Sequence, residues 1–151
     1  MADRLTALGA VLGELDVPLR IDTVQDRLVI QKAIYLAQMA VPLGYSYGWY
    51  LKGPYSPRLT RDYYEFSQLA FDNIKDVQLK DSVRFLLRPI KALIERRPAH
   101  ATLPQWLELL ASLQFMKKNW NLALDAARQK VGETKPHLAH LVDTGWEALQ
   151  H

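Results

Sequence analysis

The residues between 50 and 61 combine aromatic rings, cations and the predicted start of a helix. Ser56 is a residue type that caps helix N-termini, and Pro57 suits the first helical position. A helix N-terminus presents free N–H groups and a partial positive charge, so with three nearby cations it can hold a phosphate or a partner's carboxylate. Two tyrosines add rigid contact surface. We therefore predict a partner-binding surface of six residues: Tyr50, Lys52, Tyr55, Ser56, Arg58 and Arg61.

A plain structural interpretation of the same segment stays open. Glycine, proline and serine can simply build a turn, while the aromatic rings pack into the core and the cations are solvated. Gln31 and Lys32 lie on the preceding helix, away from its apolar stripe. We predict that Gln31 links this helix to the aromatic turn by an internal hydrogen bond, and the alternative is an ordinary polar face.

A second group of cations falls on one face of a later helix. Arg84, Arg88 and Lys91 lie opposite its apolar residues, and a basic stripe of this kind can follow the phosphates of a nucleic acid. More often such a stripe is the solvated side of an amphipathic helix. Nucleic-acid contact through these three residues is therefore the weaker hypothesis.

Signals for catalysis or metal binding are weak throughout the chain. His137 and His140 are three residues apart on a helix, but two histidines leave a zinc site short of ligands. The serines lack the sequence context of a nucleophile elbow, and no glycine-rich phosphate loop occurs. We expect no catalytic residue, no metal and no cofactor.

Length and composition favour one globular domain, residues 1–151. The chain is 49% hydrophobic and 23% charged, and its net charge of +3 permits nucleic acid as a partner without indicating it. It has no cysteine, which excludes disulfides and thiolate metal sites. Neither a signal peptide nor a membrane span is apparent, so we expect a cytoplasmic protein that does not contact membranes.

Turn signals and apolar periodicity predict a compact, mainly α-helical bundle of six to seven helices. Pro89 predicts a kink or a division of the fourth helix, and Gly132 a left-handed cap ending the sixth. The fifth is apolar nearly all round, which is typical of a central helix. The predicted spans are about 3–15, 22–41, 57–70, 81–97, 102–116, 121–131 and 136–149.

One segment near residues 45–52 alternates in a way typical of an extended strand, and Gly53-Pro54 is predicted to end it. A single strand leaves backbone groups unpaired. It must lie against the helices as an ordered loop, pair with a short stretch that the pattern does not reveal, or pair with another chain.

Two stretches, taken together, resemble the Panacea antitoxin-domain family. Residues 28–38 resemble its helix with a glutamine-lysine pair and a following tyrosine, and residues 47–59 resemble its aromatic segment and glycine-proline step. The resemblance covers about residues 22–66 and implies a compact helical domain without enzymatic activity. Such domains are linked to toxin neutralisation by protein contact, and a related member to protease adaptation. The motif residues are Gln31, Lys32, Tyr35, Gly53 and Pro54.

Three functions remain in competition. The leading hypothesis is a protein-binding regulatory domain, antitoxin-like or adaptor-like, of a toxin–antitoxin or phage-defence locus, with a toxin or regulated protein as partner and a second copy of the chain as an alternative. The second is a DNA-binding regulator with a winged-helix-like core. The third is an enzyme whose site the sequence motifs do not reveal.

Overall fold

The computed structural model describes residues 2–51, 53–68 and 79–150. Within them the chain is mainly helical, with seven α-helices and one antiparallel pair of short strands, which confirms the predicted fold class. The order is α1 (Ala2–Glu14), α2 (Val24–Ala37), β1 (Gly48–Tyr50), β2 (Gly53–Tyr55), α3 (Pro57–Ser67), α4 (Asp81–Glu95), α5 (Leu103–Asn119), α6 (Leu124–Thr134), a 3₁₀-helix (Pro136–Leu141) and α7 (Val142–Gln150).

The helix starts follow from local side-chain chemistry. Thr23 and Thr102 each form a capping box, with Asp26 and Gln105 respectively at the third helical position. Ser56 caps α3 by accepting a hydrogen bond from the backbone of Leu59. These interactions satisfy helix N–H groups that have no partner within the helix.

Helix α5 lies at the centre and packs most extensively on α2 and α7. Its side chains are buried almost continuously from Trp106 to Leu113, as its apolar sequence predicts. The Trp106 indole N–H donates to the carbonyl of Leu93 at 3.2 Å, so its burial leaves no unpaired donor. Gly145 of α7 packs so closely against α5 that a Cβ at this position would lie 2.8 Å from a methyl group of Leu109.

The extended segment has a local partner that the sequence pattern did not reveal. Gly53-Pro54 does not end the strand region but belongs to β2, which pairs with β1 in the register Gly48–Tyr55, Trp49–Pro54 and Tyr50–Gly53. A proline fits here because it stands at the middle pair, where its missing N–H removes no bond to β1. Tyr45 and Tyr47 precede β1 and are not part of it.

Of the two outcomes predicted at Pro89, the division into two helices is wrong, because α4 runs through Pro89 as one helix. Two other helix predictions need correction. Gly132 lies inside α6, which begins at Leu124 and continues to Thr134, so it is not a left-handed cap. The last helical region begins as a 3₁₀-helix at Pro136 and becomes α-helical only from Val142. The third helix ends at Ser67 with Gln68 as its C-cap, and residues 69–70 of its predicted span lie outside the described residues.

Candidate functional site

Gln31 joins α2 to the start of α3 from inside the protein. Its side-chain amide donates to the Ser56 carbonyl at 2.9 Å, and its Oε1 accepts from the Ser56 N–H at 2.9 Å. A second donated bond reaches the Thr60 hydroxyl at 3.0 Å. Gln31 is 1% exposed, so these bonds form in a low-dielectric interior where they hold their geometry well. The predicted link between Gln31 and the aromatic turn is present.

Two buried lysines hold the hairpin formed by β1 and β2. The Lys32 Nζ donates to the Pro54 carbonyl at 2.6 Å, on the side of β2 that faces away from β1. The Lys135 Nζ donates to the Leu51 carbonyl at 2.9 Å and lies 2.9 Å from the Glu108 carboxylate. Both lysines are 1% exposed. The hairpin backbone is therefore held by the side chains of two buried lysines.

The Lys135–Glu108 pair was not predicted from the sequence. Its members are 27 residues apart and share no motif. One signal was present: Glu108 stands in a helix that is otherwise apolar nearly all round, and a carboxylate buried there must find a cationic partner. The sequence does not say which cation that is.

Above these anchors the hairpin presents apolar side chains to solvent. Tyr50 is 49% exposed and Leu51 is 89% exposed. The Tyr50 ring contacts that of Tyr55 edge to face, with centroids 5.1 Å apart. Trp49 points the other way and packs on Phe115 and Trp120 of the α5 end, at 5.5 and 4.8 Å. The hairpin tip is thus exposed, while its base is fixed on α5.

A pocket of about 240 Å³ opens beside Tyr55, between α2 and α3. The Tyr55 and Tyr63 hydroxyls both bond the Thr60 hydroxyl at its floor, at 2.5 and 3.3 Å. Two exposed side chains stand at its rim: Val24 is 58% exposed and Tyr64 is 42% exposed. The lining residues are Val24, Arg27, Leu28, Gln31, Lys32, Tyr55, Thr60, Tyr63 and Tyr64.

The hairpin tip and the pocket form one continuous surface, because Tyr55 lines the pocket and its ring touches Tyr50. Monomeric proteins usually scatter their exposed apolar side chains, and a local concentration marks an interaction site. We call this the hairpin–pocket surface and define it by five residues: Val24, Tyr50, Leu51, Tyr55 and Tyr64.

The predicted six-residue site does not form a single surface. Ser56 is wholly buried, because its hydroxyl caps α3 and its backbone is bonded to Gln31, so its assignment to a partner contact is wrong. Arg58 is exposed on the side of α3 that carries Asp62, whereas Thr60 and Tyr64 face the pocket. Arg61 is exposed one turn before Tyr64, but it does not line the pocket. Lys52 lies outside the described residues.

Asp62 organises the face of α3 that lies away from the pocket. Its buried carboxylate binds the Arg4 guanidinium at 2.9 Å and accepts the Tyr45 hydroxyl at 2.6 Å. Burial, together with this bond, raises the pKa of Tyr45, and the charges of Arg4 and Arg58 oppose that rise. Arg58 thus acts electrostatically on Tyr45, on the far side of α3 from the pocket.

Tyr35, another motif residue, packs against the segment that precedes β1. Its ring contacts that of Tyr47 at a centroid distance of 4.9 Å and that of Phe115 at 6.2 Å. Burial raises the pKa of Tyr35 and of Tyr47. The motif residues of α2 therefore have support roles, because they hold the hairpin on the helices that lie beneath it.

The basic stripe of α4 is largely neutralised by the protein itself. Arg84 pairs with Glu14 at 3.2 Å and with Asp81 at 3.8 Å, and Lys91 pairs with Asp16 at 3.3 Å. Arg88 lies over the Phe85 ring at 5.6 Å. Because two of the three cations face carboxylates, the stripe offers less free charge to phosphates than its sequence indicates.

Within the part of the chain that the structure describes, His137 and His140 belong to no ligand cluster. Among the residues that the structure describes, no group of three or more histidine, aspartate or glutamate side chains could hold a metal ion. His137 lies 3.7 Å from Glu108, and the His140 ring lies 5.9 Å from that of His100. Over the described ranges, no helix combines the length and apolarity that crossing a membrane requires.

Comparisons of the chain with protein-family models, with curated proteins and with solved structures returned no match. The candidate site therefore rests on the geometry described above.

Proposed function

We propose that this chain is a non-catalytic regulatory domain, antitoxin-like or adaptor-like, that binds another protein through the hairpin–pocket surface. The observation that carries the proposal is the exposure of Tyr50 and Leu51 on a hairpin whose backbone is anchored by buried lysines. Large apolar side chains held out in water cost stability, and a partner that covers them recovers this free energy.

Rigid support makes the exposed side chains effective contacts. Binding costs free energy for every side chain and loop that must be ordered, and a preformed surface has less to order. Gln31, Lys32 and Lys135 hold the hairpin before any partner arrives. Tyrosine side chains add large contact area with few rotatable bonds, which is why they are frequent at protein interfaces.

The partner is expected to be a toxin or another regulated protein, in keeping with the Panacea resemblance of residues 22–66. The residues that the resemblance singles out, Gln31 and Gly53 among them, are those that build the hairpin base. The contact residues themselves are the exposed ones above it.

The test is quantitative capture of the native partner by variants of the hairpin tip. Affinity purification from the native host, with the tagged full-length chain, identifies the protein that co-purifies. Leu51→Asp and Tyr50→Ala should each weaken its binding by at least about tenfold, since central interface residues commonly contribute 2 kcal/mol or more.

The matched control is Leu86→Asp. Leu86 is 47% exposed on α4, so this variant makes the same chemical change at a site remote in sequence and outside the defined surface. The Leu86→Asp variant should bind the native partner with the same affinity as the unmodified chain. Undiminished binding by both hairpin variants, or an equal loss in the control, would contradict the proposal.

A further inference from the structure

The polar groups at the floor of the pocket are already used by the protein. The Gln31 amide bonds Ser56 and Thr60, and the hydroxyls of Tyr55 and Tyr63 both contact the Thr60 hydroxyl. A ligand entering the pocket therefore meets mainly apolar surface, from Leu28, Val24 and the tyrosine rings. Such walls favour an apolar group, because a polar one would lose its water without gaining a partner.

One partly exposed cation lines the pocket. It is Arg27, and no aspartate or glutamate is among the described residues that line the pocket. Arg27 is partly exposed and donates one N–H to the Ile21 carbonyl at 2.7 Å. A guanidinium carries five N–H donors, so Arg27 can also bind a carboxylate at the pocket.

The volume of the pocket favours a single side chain over a small-molecule ligand as its occupant. A volume of about 240 Å³ is below the roughly 300–1,000 Å³ typical of small-molecule sites. The pocket also opens beside exposed Val24 and Tyr64, which extend the contact beyond it. One anchoring side chain, presented by a longer segment, fits this shape best.

Resting on the proposed function, we infer that the pocket accepts one large apolar side chain from an acidic segment of the partner protein. The apolar side chain enters between α2 and α3. A carboxylate next to it in the partner's sequence pairs with the Arg27 guanidinium at the edge. The charge pair selects acidic segments and disfavours basic ones.

A peptide titration of the full-length chain tests this by NMR. The probes are three capped tripeptides, Ac-Glu-Phe-Glu-NH₂, Ac-Lys-Phe-Lys-NH₂ and Ac-Glu-Ala-Glu-NH₂, added to ¹⁵N-labelled protein at low salt. The first should shift the amide signals of Val24, Gln31, Tyr55 and Tyr64. The other two should bind at least about tenfold more weakly, because each lacks either the matching charge or the anchor.

Two variants and a control assign the binding to the pocket. Arg27→Gln should weaken the acidic phenylalanine peptide by about three- to tenfold. Tyr64→Glu places a carboxylate at the rim, in place of a ring that contacts Tyr63, and should also weaken it. Arg88→Gln makes the same charge change as Arg27→Gln at an exposed position of α4 that does not line the pocket, and binding should not change.

The inference is overturned if the lysine or alanine peptide binds as well as the first, if the shifts map elsewhere or are absent, or if Arg88→Gln weakens binding as much as Arg27→Gln does. These results are independent of the hairpin-tip test. If no peptide binds while Leu51→Asp still abolishes capture of the native partner, only the assignment of the pocket is wrong. If the peptides bind but the hairpin variants capture the native partner as well as the unmodified chain does, the proposed function is wrong.

Discussion

At the scale of single residues, Gly53 shows why one position in the hairpin tolerates no side chain. Its φ is +92°, a region that residues with a Cβ rarely adopt. A Cβ built there would lie 2.6 Å from the Ser112 Oγ of α5. That oxygen is buried and has no hydrogen-bond partner among the described residues. The close approach of strand β2 to α5 thus requires both the glycine and a small residue opposite it.

A double-mutant cycle separates these two requirements. Gly53→Ala should lower the free energy of unfolding by about 1–3 kcal/mol from the backbone conformation, with the steric conflict added. Ser112→Ala should be nearly neutral or stabilising, because it removes a buried hydroxyl without a partner. The double variant should lose less than the sum of the two, since the conflicting oxygen is gone. Urea unfolding of the four proteins measures this, and strict additivity would show that the contact is unimportant.

At the scale of elements, the hairpin is too short to be stable alone. Its two strands have three residues each, and isolated hairpins are marginal in water even when longer. Its geometry comes from neighbouring helices: α2 supplies Gln31 and Lys32, the C-terminal end of α6 supplies Lys135, and α5 supplies the surface for Trp49.

Lys135→Met tests the contribution of the buried ion pair to this arrangement. It leaves the Glu108 carboxylate buried without its cation and frees the Leu51 carbonyl, so the free energy of unfolding should fall by about 3–5 kcal/mol. Adding Glu108→Gln should recover part of that loss, because the unpaired charge is removed. Urea unfolding again provides the measurement.

The control for the ion pair is Lys118→Met, which removes the same charge from an exposed position of α5. It should change stability by less than about 0.5 kcal/mol. A loss for Lys135→Met no larger than this would show that the pair does not stabilise the hairpin.

At the scale of the whole molecule, tyrosines link the elements through the interior and make stability depend on pH. Burial is the largest cause of the raised pKa of four of them: Tyr35, Tyr45, Tyr47 and Tyr63. In the unfolded chain they lose their protons near pH 10, whereas in the folded protein they keep them to higher pH. The folded state therefore binds more protons than the unfolded state above pH 10.

Stability should be insensitive to these groups below about pH 10 and should fall as the pH rises beyond it, by up to about 1.4 kcal/mol per unit for each tyrosine. Urea unfolding between pH 8 and 11 measures the slope. Tyr35→Phe removes one titrating hydroxyl and should make the decline shallower, while other groups that titrate in this range contribute equally to both proteins. Equal slopes in the variant and the unmodified chain would contradict the prediction.

Much of the helical framework could be predicted, because its signals lie within a few residues of one another. The pairs Thr23 with Asp26 and Thr102 with Gln105 meet across one helical turn and need no other part of the chain. The burial of α5 follows from its composition in the same way. The link from Gln31 was predictable only because two motifs were considered together.

The features that could not be predicted from the sequence depend on residues that come into contact only when the helices pack together. Strand β2 contains glycine and proline, which disfavour strands, and it is held by Lys32 from α2 and by contact with α5. The face of α3 on which Arg58 lies follows from how that helix docks. Ser56 looked like a contact residue, but the fold buries it under Gln31. Local propensity sets where helices begin, whereas burial and long-range hydrogen bonds, whose partners are tens of residues apart, decide which side chains face a partner.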